Sequence, residues 1–228
     1  MTILDIKKKL KKYWNMGPFI NRNITYYDLK RFAEGIDGSG KALIVFAEFK
    51  FDHIIKDYDI MPRDVYGTDN YLEYFKEYVD ASYDTVVCSG LLEHMKDPDN
   101  LIENLFRVLK PGGKAYVSAS CVFSVHRGPE NYFHITHFGA KLLFEKYNWS
   151  HLDISGSSGP FRTLGINCQR ILLQTDMNIL VRPFIELLAW SLPMLDVFVR
   201  KQYDGRRIKE HHVIDTMMPS NIQVIATK

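Results

Sequence analysis

The feature that most constrains this chain is an alternation of short apolar strands with helical patterns. Ala42–Phe46 (ALIVF) is a continuous apolar run with no polar residue on either face, and Tyr83–Cys88 (YDTVVC) reads as a second buried strand. A strand that meets water on one side alternates in polarity, whereas one covered on both sides does not, which is the condition of a parallel sheet sandwiched by helices. Lys114–Ser120 (KAYVSAS) is a third strand, and Trp149–Ser155 starts a fourth.

The intervening segments carry the helical period. Leu29, Phe32, Ala33 and Ile36 recur at i, i+3, i+4 and i+7, ending among Gly35, Gly38 and Gly40. Asp97 is placed as an N-cap before Pro98, with Leu101, Leu105, Val108 and Leu109 on one face and Pro111-Gly112-Gly113 as the stop. Ala140, Leu143, Phe144 and Tyr147 mark another helix, while His53–Ile60 and Asp64–Asp69 are short segments between the first two strands. Asn221–Thr227 reads as a terminal strand on an antiparallel edge. The order predicts an α/β fold: a doubly wound, mostly parallel sheet with an antiparallel terminal strand and a helical C-terminal insertion.

Without internal repeats or low-complexity linkers, the 228 residues read as one domain: N-terminal helices over 1–40, a core over 41–156, an inserted helical cap over 157–219 and a terminal strand over 220–228. With 29 Lys+Arg against 27 Asp+Glu, the net charge of +2 lacks the positive field that nucleic-acid binding requires, so no nucleic-acid partner is expected. Three widely spaced cysteines without a CxxC pair fit a reducing, cytoplasmic setting. The lysine-rich opening, with Ile6, Leu10, Tyr13 and Trp14 on one helical face, has no apolar core of signal-peptide length. The apolar stretch 177–199 is interrupted by Arg182, Pro183, Glu186, Pro193 and Asp196, which favours a helical pair over a spanning helix. Such a pair suits core, a peripheral membrane or protein contact, or a homodimer interface.

Ligands of doubly wound sheets sit beyond the carboxyl ends of the strands. There the chain places Asp59, Asp69 and the run Ser89-Gly90-Leu91-Leu92-Glu93-His94. The stretch Tyr83–Ser120, with YD, LLEH, a proline-started helix, RVLKPGG and an apolar strand, closely resembles class I S-adenosylmethionine-dependent methyltransferases. The resemblance extends more loosely to DYDIMPRDVYGTD upstream and to HRGPENYFHITHFGAKLLFEKYNW downstream, the latter similar to a subgroup that modifies sugars or polysaccharides. It implies that S-adenosylmethionine is the cofactor, with Asp59 on the ribose, Ile60 on the adenine, and Thr68, Asp69 and Asn70 facing the adenine amino group. Ser89, Gly90 and Leu91 would line the methionine side, and RVLKPGG would be structural. The family's glycine-rich loop after the first strand is replaced by Phe46, Ala47 and Glu48, so side chains stand where bare backbone N–H groups would approach the cofactor.

Transfer of a methyl group to a hydroxyl needs a base for the released proton, and histidine suits that task. His94 follows the YDTVVC strand and His126 the KAYVSAS strand, and both are the catalytic candidates. Arg127, Tyr132 and His134 form a polar and aromatic set suited to binding a carbohydrate or other small polar acceptor. The spacing of His126, His134 and His137 permits a metal, but no zinc signature accompanies it and none is expected. Gly156, Gly159 and Pro160 in SGSSGPFR lack Walker spacing and read as a loop into the inserted helices. The competing reading is a catalytically degenerate methyltransferase-fold protein that serves as an interaction subunit.

Overall fold

The computed structural model describes residues 22–47, 49–62, 71–126, 130–203, 213–214 and 217–228. They divide into two compact units, one of residues 29–157 with 218–228, the other of residues 158–217 with residues 22–28.

The first unit is built on a six-stranded sheet. Helix α1 (Arg22–Glu34), which belongs to this unit from Leu29 onward, leads to β1 (Lys41–Phe46) and β2 (Asp57–Ile60); β3 (Tyr83–Ser89), α2 (Pro98–Val108), β4 (Leu109–Ser120), α3 (His137–Phe144) and β5 (His151–Gly156) follow. The last strand of the chain, β8 (Asn221–Thr227), completes the order β2-β1-β3-β4-β8-β5. The β1–β2, β1–β3 and β3–β4 pairs are parallel, and β8 is antiparallel to both of its neighbours.

Alternation along the central strands assigns each residue to one of two cores. Leu43, Val45, Val86, Cys88, Ala115 and Val117 pack with Leu101, Ile102 and Leu105 of α2 and with Ala140 and Phe144 of α3. On the opposite face Ala42, Ile44, Val87 and Tyr116 pack with Phe32, Ala33 and Ile36, the stripe read from the sequence. Asp97 caps α2 as predicted, accepting a hydrogen bond from Asn100 N at 3.1 Å.

Several expectations need correction. The terminal strand is antiparallel but not an edge: β8 lies between β4 and β5, because its period-two burial at Ile222, Val224 and Ala226 continues one core face across the sheet. Within the short segment His53–Ile60 only Asp57–Ile60 is a strand, because Ile54 N and Ile55 N bond Phe51 O at 2.8 and 2.9 Å and turn the chain before it. Helix α2 stops at Val108, ahead of Pro111. Its last carbonyls are met by Lys228, whose Nζ donates to Phe106 O and Leu109 O at 2.8 Å.

The YD and LKPGG motifs form one clamp. Asp84 Oδ2 accepts from Lys41 N at 2.9 Å and pairs with Lys110 Nζ at 2.8 Å, joining β1 and β4 to β3. Arg107 in the same motif donates to Phe75 O at 2.6 Å and Tyr78 O at 2.9 Å, so RVLKPGG has the structural role assigned to it. Gly40 closes the clamp with φ +74°, and a Cβ there would lie 2.5 Å from Asp84 Oδ2.

The second unit contains α4 (Pro160–Gln174), α5 (Arg182–Ser191), a 3₁₀ turn over Leu192–Phe198 and the short pair β6 (Gln202–Tyr203) and β7 (Val213–Ile214). Asp196 accepts from Phe161 N at 2.8 Å and Arg162 N at 3.0 Å, so the chain's own carboxylate fills the start of α4. Gly159 is needed for that approach, since a Cβ would come within 2.5 Å of Asp196. Of the glycines of SGSSGPFR, Gly159 therefore serves helix capping, while Gly156 ends β5. The stretch 177–199 is a helical pair as read, and among the described residues no helix is long and apolar enough to cross a membrane. The lysine-rich segment Ile6–Trp14 lies outside the described residues.

Gly40→Ala is expected to destabilise the protein by about 1–2 kcal/mol, the cost of a left-handed residue with a Cβ. Urea unfolding measures this, and an unchanged midpoint would contradict the clamp.

Candidate functional site at the carboxyl edge of the sheet

The chain leaves β1 toward β2 on one side and reaches β3 on the other, so the sheet order reverses between β1 and β3. Ligand crevices of open α/β sheets open at such a point. Phe46 and Ala47 end one wall, and Ser89 and Gly90 end the other.

On the β1 side, side chains replace glycine. Phe46 packs half-buried on one core, while Ala47, Phe49 and Phe51 are buried in the other. Phe49 meets Phe32 edge-on at 6.2 Å and Phe51 meets Tyr58 at 5.0 Å. The apolar effect thus draws this turn's rings inward, a constraint a glycine loop does not have. Glu48 lies outside the described residues, as do Thr68, Asp69, Asn70 and Arg127.

Asp59 is the next-to-last residue of β2 and is held from behind. Its Oδ2 pairs with Lys41 Nζ at 2.7 Å and accepts from Tyr83 OH at 2.6 Å, and Oδ1 takes part in neither contact. The Lys41 ammonium first, and the Tyr83 hydroxyl second, hold the Asp59 carboxyl below the ordinary carboxylate range. Burial, and next the bond to Asp59, push the Tyr83 hydroxyl well above its ordinary value. Asp59 is thus an ionised, oriented acceptor whose side chain is 44% exposed, beside an exposed Ile60.

On the β3 side, Gly90 turns the chain with φ +79° and its N–H donates to Ser118 O at 2.9 Å. The Ser89 and Ser118 hydroxyls lie 2.8 Å apart and are buried, and Leu91 is buried in the core. Of the three residues expected along the methionine side, only Gly90 reaches solvent; Ser89 and Leu91 shape the turn.

A buried 3₁₀ turn, Leu92–His94, follows. Its Glu93 carbonyl accepts from Tyr132 N at 2.9 Å and Phe133 N at 3.2 Å, strapping the segment after β4 onto the turn. His94 Nδ1 lies 2.6 Å from Glu130 O and His126 Nδ1 lies 3.0 Å from Ser124 O. A carbonyl oxygen only accepts, so each ring donates from Nδ1, and a neutral ring then carries its lone pair on Nε2. The two rings meet edge-on at 4.9 Å. The structure therefore brings together the two predicted histidines. Tyr132 stands on the same strap, its hydroxyl donating to Glu130 Oε2 at 2.5 Å, and the exposed His134 ring meets Asn131 Oδ1 at 3.0 Å.

Sequence reasoning missed Glu93 and Ser120. Glu93 is buried, and its Oε1 accepts from Ser120 Oγ at 2.7 Å. A glutamate four residues past a buried strand was the available signal. Among the described residues, the one group of three potential metal-ligating side chains is Glu93, His94 and His126, not the set of His126, His134 and His137 weighed from spacing.

A doubly wound sheet whose strand order reverses between β1 and β3 defines the class of ligand-binding α/β proteins. Within that class the chain belongs to the methyltransferase-domain family, which it matches over residues 37–153. It is similar to the ubiquinone biosynthesis O-methyltransferase of Pseudomonas fluorescens, 35% identical over 60 residues that cover 26% of this chain and 24% of that one. The match thus spans about a quarter of that relative's length. Among solved structures, a SAM-dependent methyltransferase from Archaeoglobus fulgidus is 14% identical with a TM-score of 0.49, covering 91% of this chain and 95% of that one. A phosphoethanolamine N-methyltransferase 2 from Haemonchus contortus, solved with S-adenosyl-L-methionine, is 15% identical with a TM-score of 0.46, covering 90% and 52%.

Carboxyl titration by carbon NMR is expected to place Asp59 below the ordinary aspartate range and to move it upward in Lys41→Met. A depressed carboxyl contributes stability above its unfolded pKa and loses it as pH falls through the folded one; for so exposed a pair, solvent screening keeps that contribution small. An Asp59 titration indifferent to Lys41→Met would contradict the grip described.

Proposed function

We propose that this protein is a cytoplasmic S-adenosylmethionine-dependent O-methyltransferase acting on a sugar or another small polar hydroxylated acceptor. The observation that carries the reading is the Asp59 carboxylate, gripped on Oδ2 and uncommitted on Oδ1 at the end of β2. Vicinal ribose hydroxyls require such an acceptor, and exposed Ile60 beside it offers an apolar surface to adenine. The residues fit an adenosine on this side; at the methionine end the backbone of Phe46, Ala47 and Gly90 has to serve without a glycine loop.

When bound, the cofactor supplies a methyl group on a sulfonium, and displacement in line with the acceptor oxygen calls chiefly for alignment. Tyr132, Asn131 and His134, on the strap beside the histidine pair, orient the acceptor. Arg127, within the same segment, is assigned to this set from the sequence alone. His126 is half-buried whereas His94 is 4% exposed, so Nε2 of His126 takes the hydroxyl proton and His94 positions that ring. The Pseudomonas relative's name, an O-methyltransferase, supports oxygen as the acceptor atom.

A second reading, an interaction subunit without catalysis, is favoured by the aromatic turn after β1 and by exposed Phe184, Leu187, Trp190 and Phe198 of the second unit, a surface suited to a membrane, a partner or a second copy. Calorimetry with S-adenosylhomocysteine separates the two. One equivalent is expected to bind, with Asp59→Ala at least tenfold weaker while its circular dichroism is unchanged. Absence of heat together with absence of a thermal shift would reject the transferase reading.

A further inference from the structure

We infer that Glu93, His94 and His126 form a site for a divalent transition-metal ion of the zinc class. One carboxylate oxygen and one nitrogen from each ring lie within 4.8 Å of one another. Glu93 is 1% exposed, and while its Oε1 takes the Ser120 hydroxyl, its Oε2 is buried with no hydrogen-bond partner. A buried carboxylate oxygen left in that state is costly, and a cation offsets it directly.

The histidines are arranged as ligands are. Each ring donates Nδ1–H to a main-chain carbonyl, Glu130 O for His94 and Ser124 O for His126. That outer bond fixes the tautomer with its lone pair on Nε2 and raises the ring's basicity toward a metal. Two imidazoles with one carboxylate suit zinc, whose bonds of about 2.0–2.1 Å place tetrahedral donors about 3.4 Å apart. Movement of about an ångström closes the triad, and His126, the least buried member, is placed to provide it.

Three protein ligands leave the fourth position open, as in a catalytic rather than a structural site. An oxygen of the bound acceptor fits there, and the ion would lower that hydroxyl's pKa so that its proton passes to water. His126 would then hold the ion instead of taking the proton. This last role rests on the methyl-transfer reading, whereas the metal site does not.

The test uses full-length protein stripped with EDTA and titrated with zinc chloride by calorimetry, with no methyl donor or acceptor present. One equivalent of zinc is expected to bind, with affinity at least a hundredfold weaker in His126→Ala and in Glu93→Gln, and unchanged in His151→Ala on β5. Cobalt substitution gives a second readout: visible d–d bands expected in the native protein and lost in His126→Ala. His126 sits on a half-buried loop position, so this variant remains decisive even if Glu93→Gln fails to fold. No uptake of zinc, or uptake undiminished in folded His126→Ala, would overturn the site.

Discussion

Burial of β1, β3 and β4 on both faces is the constraint on which the rest depends. Leu43, Ile44, Val86, Val87, Ala115 and Val117 are all essentially inaccessible, though they point alternately to opposite sides. A sheet in that condition needs helices above and below it, and parallel neighbours need crossovers to return the chain. Polar side chains are thereby expelled from both faces to the strand ends. Asp59, His94 and His126 stand at or just past the ends of β2, β3 and β4 for this reason.

Most of the fold was legible because its signals are local. The ALIVF and YDTVVC runs, the Leu29–Ile36 stripe and the Asp97 cap depend on residues within a turn or two of one another, and the structure realises them. What was misread is lateral or capped from afar. The alternation in Asn221–Thr227 says which side chains face inward but not which strands flank β8. The end of α2 depends on Lys228, far away in sequence, so Pro111 looked like the stop.

The site was half legible. His94 and His126 were chosen for following strands, and a common register at the sheet edge brings their rings together. Ser89 and Leu91, taken as lining, are buried because the turn at Gly90 must be packed before it can present anything. Asp59 was expected as a bare acceptor; the fold adds a lysine and a tyrosine that keep it charged. Glu93 went unassigned because its importance comes from burial beside Ser120, which no spacing reveals.

Two carboxylates thus organise the edge, one exposed and gripped by a cation, the other buried and half satisfied. The central claim is that the carboxyl edge of the sheet beside Asp59 accepts adenosine. Backbone amide NMR on addition of S-adenosylhomocysteine tests it most directly. Shifts concentrated at Phe46, Ala47, Ile60 and Gly90 are predicted, and a saturating ligand that leaves those amides unmoved would contradict the account.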